Sequence, residues 1–371
     1  MSTPRTIKEL TDIYGMRVIV RASLDVPIKD GIVQNEFRIK RTIPTISYLI
    51  EKGARVIILT HIGRDPKNST KPLMSVLEKY IPVEYVNGII GNEVYGKIAH
   101  MKEGSALLLE NLRSLQGEEA NDDVLSKTLA SYADFYVNDA FAVSHRAHAS
   151  IVGISSYIPG FAGLTFAEEV EHLSRVLTPN HPALFILGGA KFETKQPLIE
   201  RYASEYDHLA LGGALANDFL KARGLPVGKS LVSPVDLSTN PLIHKENILV
   251  PTDVVLEDRR EVMVGEVGSE DRIFDIGSQS VNTLAPLIGN AKTILWNGPL
   301  GYYEGGFDEA TKAVAKLISE SNAFSVIGGG DTVAAIESLG LEDKFGFLST
   351  AGGAMLEFLE KGTLPGIDSL A

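Results

Sequence analysis

No cysteine occurs among the 371 residues, which excludes disulfide staples, thiolate metal sites and a cysteine nucleophile, and leaves the redox compartment open. Histidine is also sparse. The eight present show no HExxH or similar pairing, so a catalytic zinc is not expected. No GxGxxG occurs, which leaves a dinucleotide dehydrogenase as an outside reading only. The segment GLPVGKS at 224–230 has three residues between its glycines where a P-loop needs four, and it follows a helical pattern instead of a strand. SHRAH at 144–148 lacks the Asp that follows the Arg in a protein kinase catalytic loop. Long apolar runs are missing too. The longest uncharged stretch, Ala149 to Ala167, is interrupted by three Ser, one Pro and three Gly, and the opening MSTPRTIKEL has no apolar core. Neither a membrane span nor a secretory signal is read, and the cytoplasm is the expected location.

What is present suits an ordinary globular protein. Hydrophobic residues make up 44% and charged residues 22%, enough apolar surface to build full-size cores. At roughly 150 residues per domain the length predicts two domains. The net charge of −12 argues against general binding to nucleic acid or anionic membranes. That sum hides an asymmetry: residues 1 to 160 hold 19 Lys+Arg against 18 Asp+Glu, leaving 16 against 29 in the remainder.

Strand-like and helix-like runs alternate along the chain, the pattern of parallel sheets with crossover helices, so the fold class is α/β. Strands are expected at Met16–Val20, Arg55–Thr60, Ala106–Leu109 and Phe135–Val137, then at Ala183–Leu187, Leu209–Leu211, Ile248–Val250, Thr293–Trp296, Ser325–Ile327 and Phe347–Leu348. Helical patterns include Thr42–Lys52 and Asp122–Ala133. The domain boundary is placed near residues 160 to 180, where the Gly/Pro/Ser-rich segment Ser155–Gly163 runs into a helical stretch at Thr165–Leu177 long enough to join two lobes.

Ligands of open parallel sheets bind at the carboxyl ends of the strands, so the residues just after each strand carry the information. In the first half these are basic: Arg21, then His61 and Arg64 of HIGR, then Arg113 of ENLR, then His145, Arg146 and His148, with Arg38 after the first turn. Taken singly each reads as a solvated surface charge. Together they predict a basic bowl for a small, multiply anionic ligand, because guanidinium forks match phosphate and carboxylate oxygens. In the second half they are glycine-rich: LGGAK, LGGALA, WNGPLG, IGGGDT and STAGGA. Four of these lead into helical patterns whose free N–H groups favour an anion. With Lys191 and Lys195 on the first turn and Asp331 and Thr332 on the fourth, a nucleotide with Mg²⁺ near Asp331 is expected.

In this order, RASLDVPIKDGIVQNEFRIKRTIPTI, THIGR, LLLENLR, YVNDAFAVSHRAHAS, LGGAKFETK, GGALANDFLKA, WNGPLGYYE, GGGDT and STAGGAMLEFLEKGTLPGI resemble the phosphoglycerate kinase family over the whole chain. The resemblance implies two Rossmann-like domains facing across a cleft. Residues 1–164 would bind 3-phosphoglycerate or 1,3-bisphosphoglycerate, 165–177 would form the interdomain helix, and 178–354 would bind MgADP or MgATP, with a tail from about 355 to 371 packing back on the first domain. It implies phosphoglycerate ligands at Arg38, His61, Ile62, Gly63, Arg64, Arg113 and Arg146, with Arg21 and His148 close by. Nucleotide ligands are implied at Gly188, Lys191, Lys195, Gly212, Asn297, Pro299, Glu304, Gly329, Gly330, Asp331 and Thr332, with Asp331 holding Mg²⁺. Transfer in line after domain closure would rest on Lys191, Arg38 and the backbone N–H groups of Gly352 and Gly353. A monomer is expected. The bowl and the glycine turns alone leave room for a related phosphotransferase on another small carboxylate, or for a silent nucleotide-binding homologue; retention of Lys191, Lys195, Arg38 and Asp331 counts against silence.

Two positions depart from the family pattern. An Asp-x-Asn pair normally follows the first strand, and here the residues are Ser23 and Asp25. They share a strand face, so Asp25 is expected to accept from the C2 hydroxyl of the substrate. Ala351 stands where the family usually has the first of three glycines, and Ala tolerates positive φ poorly.

Overall fold

A computed structural model describes residues 4–190 and 192–370. Its packing divides the chain into two units, with the division between Glu171 and His172 and a return to the first unit between Glu360 and Lys361. Each unit is built on a six-stranded sheet in which every pair is parallel. The expected α/β class with two parallel sheets is therefore present.

In the first unit β1 (Arg17–Ala22) is followed by a short antiparallel ribbon of β2 (Ile28–Lys29) and β3 (Ile32–Val33). Then come β4 (Arg55–Leu59), β5 (Val83–Tyr85), β6 (Ala106–Leu108), β7 (Phe135–Asp139) and β8 (Gly160–Ala162), and the sheet order is β5-β6-β4-β1-β7-β8. The central strands are buried at nearly every position, which is why they read as continuous apolar runs and not as alternating ones. The direction of winding reverses between β1 and β7, the position where open sheets leave a crevice at their carboxyl ends.

Several elements differ from the expectation in instructive ways. The helix expected from Thr42 begins at Phe37, because the Asn35 side chain accepts from the Phe37 N–H at 2.7 Å and starts it early. Arg38 thereby joins the first helical turn. The segment Ser155–Gly163 contains the edge strand β8, whose Gly160 lies so close to Leu370 that a Cβ would stand 2.7 Å from the leucine Cδ2. The helix Leu164–Leu177 contains the division between units. Its start is fixed in the first unit by Leu164 N–H to Thr45 Oγ1 (2.9 Å) and Phe166 N–H to Asp139 Oδ1 (3.0 Å), and near its end the Val176 carbonyl accepts from the Tyr206 hydroxyl (2.8 Å).

The second unit contains β9 (Ala183–Leu187), β10 (His208–Leu211), β11 (Ile248–Leu249), β15 (Thr293–Asn297), β16 (Phe324–Gly328) and β17 (Phe347–Leu348), ordered β11-β10-β9-β15-β16-β17. Counted along the chain this is 3-2-1-4-5-6, the doubly wound order whose crevice opens between the first and fourth strands. An antiparallel sheet of β12 (Asp253–Leu256), β13 (Glu261–Met263) and β14 (Ile273–Ile276) was not foreseen from sequence; it closes its own small core of Leu220, Val254, Leu256 and Val264. The final turn of the helix Gly353–Lys361 is held in the second unit, where Leu359 O accepts from Arg201 Nη1 and the Tyr202 hydroxyl. The following helix Pro365–Asp368 is tied into the first unit by Gly366 N–H to Ser144 O at 2.9 Å.

At the crevice of the second unit the loops after β9 and β15 touch backbone to backbone. A Cβ on Gly188 would lie 2.0 Å from Pro299 O and 2.7 Å from Gly298 O, so Gly188→Ala must push the two loops apart. We expect a loss of about 1–3 kcal/mol. The single tryptophan, Trp296, is fully buried in the same unit, and its emission during urea unfolding measures the change.

Candidate functional site

The segments that leave β1, β4, β6 and β7 converge at the carboxyl edge of the first sheet. Arg21, the fifth residue of β1, is fully buried and faces inward: Nε donates to Ser150 Oγ (2.9 Å), Nη1 to Ala22 O (2.7 Å) and Nη2 contacts His61 Nδ1 (2.9 Å). Ser150 in turn donates to Glu118 Oε1 at 2.6 Å, and its N–H reaches Glu118 Oε2 at 3.0 Å. Glu118 is itself buried, and His148 Nδ1 stands 3.8 Å from Oε1. Neither Glu118 nor Ser150 was singled out from sequence, since nothing in their local pattern tells a buried charge partner from a surface residue.

Around this buried pair the basic residues gather. Arg113, Arg146 and Arg21 all act electrostatically on His61, and Arg64 acts on Arg113. Arg113 also meets Glu119 in an ion pair, while Arg64 and Arg146 are exposed. Burial, then the charges of Arg21, Arg113 and Arg146, push the His61 pKa down to about 2, and burial with the same arginines brings His148 to about 4. Both rings are thus neutral at pH 7, so the positive charge of the bowl is carried by guanidinium groups.

Asp25 lies within this cluster. Its Oδ1 accepts from the Gly63 N–H at 2.8 Å, its Oδ2 is 3.6 Å from His61 Nε2, and its carbonyl accepts from Arg38 Nη1 at 3.1 Å. Ser23, two residues earlier, is half-buried. The HIGR segment is further shaped by a residue that sequence reasoning missed. Asn111, fully buried, pairs with Ile62 in both senses (N–H to Oδ1 3.2 Å, Nδ2 to O 3.1 Å) and donates to Asn68 O at 2.8 Å. The only signal for it was a carboxamide directly after an apolar strand.

In the second unit the glycine turns end β9, β10, β15 and β16. Gly212 and Gly329 directly precede helices Gly213–Ala222 and Gly330–Ser338, and Gly352 precedes Gly353–Lys361. Gly213 has φ of +62° and packs a would-be Cβ 2.8 Å from Gly189 O, so glycine is required there on both counts. Lys195 is buried, and its Nζ donates to Asn297 Oδ1 at 2.6 Å across the crevice between β9 and β15. Asp331 is exposed in the first turn of Gly330–Ser338, and the neighbouring Thr332 is buried with an Oγ1 that has no hydrogen-bond partner. A cleft of about 430 Å³ runs past Gly189, Gly213, Pro299, Tyr302, Glu304 and Asp331. Gly188, Gly330 and Gly353 do not line this cleft, and Lys191 lies outside the described residues. Ala351 is buried and is not among the residues of positive φ, whereas Gly352 has φ of +51°. The loop therefore places its left-handed residue one position later and accommodates alanine without strain.

Among the described residues no three His, Cys, Asp or Glu side chains come together as a metal cage. A lone Asp331 beside free helix N–H groups matches the way Mg²⁺ is held on phosphates, by one or two carboxylates with the ligand supplying the rest. Nor is any helix among them long and apolar enough to cross a membrane.

A doubly wound unit with a nucleotide-sized crevice, joined to a second parallel α/β unit that crowds arginines around one site, defines a two-domain α/β protein of the phosphotransferase kind. Comparison with known proteins narrows this. The phosphoglycerate kinase family profile matches residues 7–362. Phosphoglycerate kinases of Dictyoglomus turgidum and Thermus thermophilus are 43% and 42% identical, over 98% and 99% of both chains. The structure of phosphoglycerate kinase from Coxiella burnetii aligns with a TM-score of 0.87 at 36% identity, covering 99% of this chain and 98% of that one. That from Pyrococcus horikoshii aligns at 0.86 and 31%, with the same coverage. The chain belongs to the phosphoglycerate kinase family.

Burial brings the Lys195 pKa down to about 8. A phosphate paired with Lys195 would favour the ammonium form, so affinity drawn from that pairing would be present below pH 8 and lost as pH rises through it. ADP affinity is expected to fall about tenfold per pH unit above 8; titration calorimetry from pH 7 to 9.5 checks it, and Lys195→Met should flatten the profile.

Proposed function

We propose that this protein catalyses reversible phosphoryl transfer between 1,3-bisphosphoglycerate and MgADP, giving 3-phosphoglycerate and MgATP, as a monomeric glycolytic enzyme of the cytoplasm. The first unit takes the phosphoglycerate and the second the nucleotide. The observation that carries this is the crowding at the first sheet: burial and three arginines hold His61 neutral, and a multiply anionic ligand is what offsets such like-charge repulsion.

The chemistry asks for little more than positioning and charge. A carboxylate already carries the attacking oxygen, as does the terminal phosphate of ADP in the other direction, so no general base and no covalent intermediate are needed. Negative charge spreads over the transferring oxygens in a loose transition state, and fixed cations and N–H groups stabilise it. Arg38, Lys191 and the N–H groups of Gly352 and Gly353 are assigned that task. Arg64, Arg113 and Arg146, with His61, Ile62, Gly63 and His148, bind the phosphoglycerate. Lys195, Asn297, Pro299, Glu304, Gly188, Gly212 and the run Gly329–Thr332 bind the nucleotide. Asp331 would hold the Mg²⁺ of the nucleotide, which would supply positive charge against the phosphates. Ligands on separate units must approach for in-line transfer, so closure accompanies turnover.

The Ser23/Asp25 pair keeps one carboxylate and one neutral group. Asp25 Oδ1 is occupied by Gly63, which leaves Oδ2 to accept from the C2 hydroxyl of the substrate. Coupled turnover of 3-phosphoglycerate with MgATP, trapping the acyl phosphate with an NADH-linked reductase, tests the whole reading. Activity should be present in the native chain and fall by at least about a hundredfold in Arg38→Ala, as for lost transition-state donors. Asp25→Asn should raise the KM for 3-phosphoglycerate several-fold; an unchanged or lower KM would remove that role.

A further inference from the structure

Arg21 looks from sequence like one more cation of the bowl, yet its side chain is fully buried and its three nitrogens are taken by Ser150, Ala22 and His61. An arginine carries only donors. Its Nη2 lies 2.9 Å from Nδ1 of His61, so that nitrogen must accept, and a doubly protonated ring would set two donors against each other. The neutral ring then carries its proton on Nε2. That nitrogen points toward Asp25 Oδ2, 3.6 Å away.

We propose that Arg21 is a positioning residue: held by Ser150 and Glu118 on one side and the Ala22 carbonyl on the other, it fixes His61 as the Nε2–H tautomer and so makes this ring a hydrogen-bond donor to an anionic oxygen of the ligand. The chain runs from Glu118 through Ser150 Oγ and the guanidinium to the imidazole, each link between 2.6 and 2.9 Å. Buried and hydrogen-bonded at each member, it has the rigidity that sets a histidine's proton by the bond at its other nitrogen. Asp25 Oδ2, at 3.6 Å, is too far for a hydrogen bond but places a negative charge on the Nε2 side of the ring. Besides Arg21, the charged or titratable groups acting on the ring are Arg113, Arg146, His148 and Asp25. The cations disfavour the imidazolium, consistent with a ring that works as a neutral donor. Donation from His61 gives an oxygen of a phosphate or carboxylate a partner that a lone-pair nitrogen would repel.

What His61 donates to rests on the function proposed above; the tautomer of the free protein does not. The full chain labelled with ¹⁵N-histidine, with His61→Gln to assign the signals, gives both ring nitrogens by long-range proton–nitrogen correlation. At pH 6 to 8 without ligand, Nδ1 is expected to show the shift of an unprotonated nitrogen and Nε2 that of a protonated one. A proton on Nδ1, or on both nitrogens, overturns the proposal. Arg21→Lys keeps a charge near Ser150 and Glu118, but its single ammonium cannot reach the separate acceptors that the guanidinium meets through three nitrogens. It should yield a mixture of tautomers and raise the KM for 3-phosphoglycerate by about ten- to a hundredfold, the worth of a hydrogen bond to a charged group, with a much smaller change in kcat. An Arg21→Lys protein that folds with a pure Nε2–H ring and an unchanged KM overturns the role of Arg21; if that variant does not fold, Ser150→Ala is read in the same way. Saturating 3-phosphoglycerate should move the Nε2 signal in the native chain. A silent signal in an active enzyme overturns the donor role, whereas the expected tautomer in an inactive protein would sink the function and leave the inference standing.

Discussion

Taking a guanidinium out of water costs several kcal/mol unless its charge and its hydrogen bonds are both answered inside the protein. Arg21 meets that constraint at the carboxyl end of the central strand of the first sheet, and the surrounding site is built on its solution. Glu118 answers the charge through Ser150, the Ala22 carbonyl takes one nitrogen and His61 another. Because Ser150 follows β7, Glu118 follows β6 and His61 follows β4, one buried cation ties together the loops that carry the remaining basic residues. Arg64 and Arg146 stay exposed at the same site, while the buried arginine is consumed by the protein.

The second unit solves a different problem with backbone. Its crevice must bring strand ends close enough for phosphate-sized anions to meet several N–H groups, and side chains would prevent it. Gly188 against Pro299 and Gly213 against Gly189 are contacts between main chains. The one buried cation described there, Lys195, is held by Asn297, a residue of the facing strand. Arginine-rich recognition in one unit and glycine-rich recognition in the other fit ligands that differ in the same sense: a small multiply charged acid, and a nucleotide whose phosphates lie along a helix N-terminus.

The charge asymmetry between the two halves now has a structural meaning. In the near-neutral half Arg21, Arg64, Arg113 and Arg146 meet near one sheet edge, where Glu118 and Asp25 act as internal partners. Histidines contribute shape and a proton at a chosen nitrogen, since His61 and His148 are neutral.

By itself the sequence determined the α/β class, the strands of both six-stranded sheets apart from β5 and β8, and the residue types at their carboxyl ends, because each of these is written in a local period or a local cluster. It could not show β8, a three-residue strand defined by its pairing with β7, nor the early start of the helix at Phe37, set by one Asn35 hydrogen bond. The small antiparallel sheet was hidden because charged residues and glycines interrupt the apolar residues throughout 253–276. Tertiary structure alone decided which basic residues face outward and which are consumed internally. Arg21 and Arg64 are the same residue type near the carboxyl ends of neighbouring strands, the first within β1 and the second in the loop after β4, and contacts between residues 32 to 129 apart in sequence, Glu118 to Ser150 and Ser150 to Arg21, turn the first into scaffold while the second stays exposed. Long-range pairing of charge with charge has no local signature, which is the physical reason it waits for the fold.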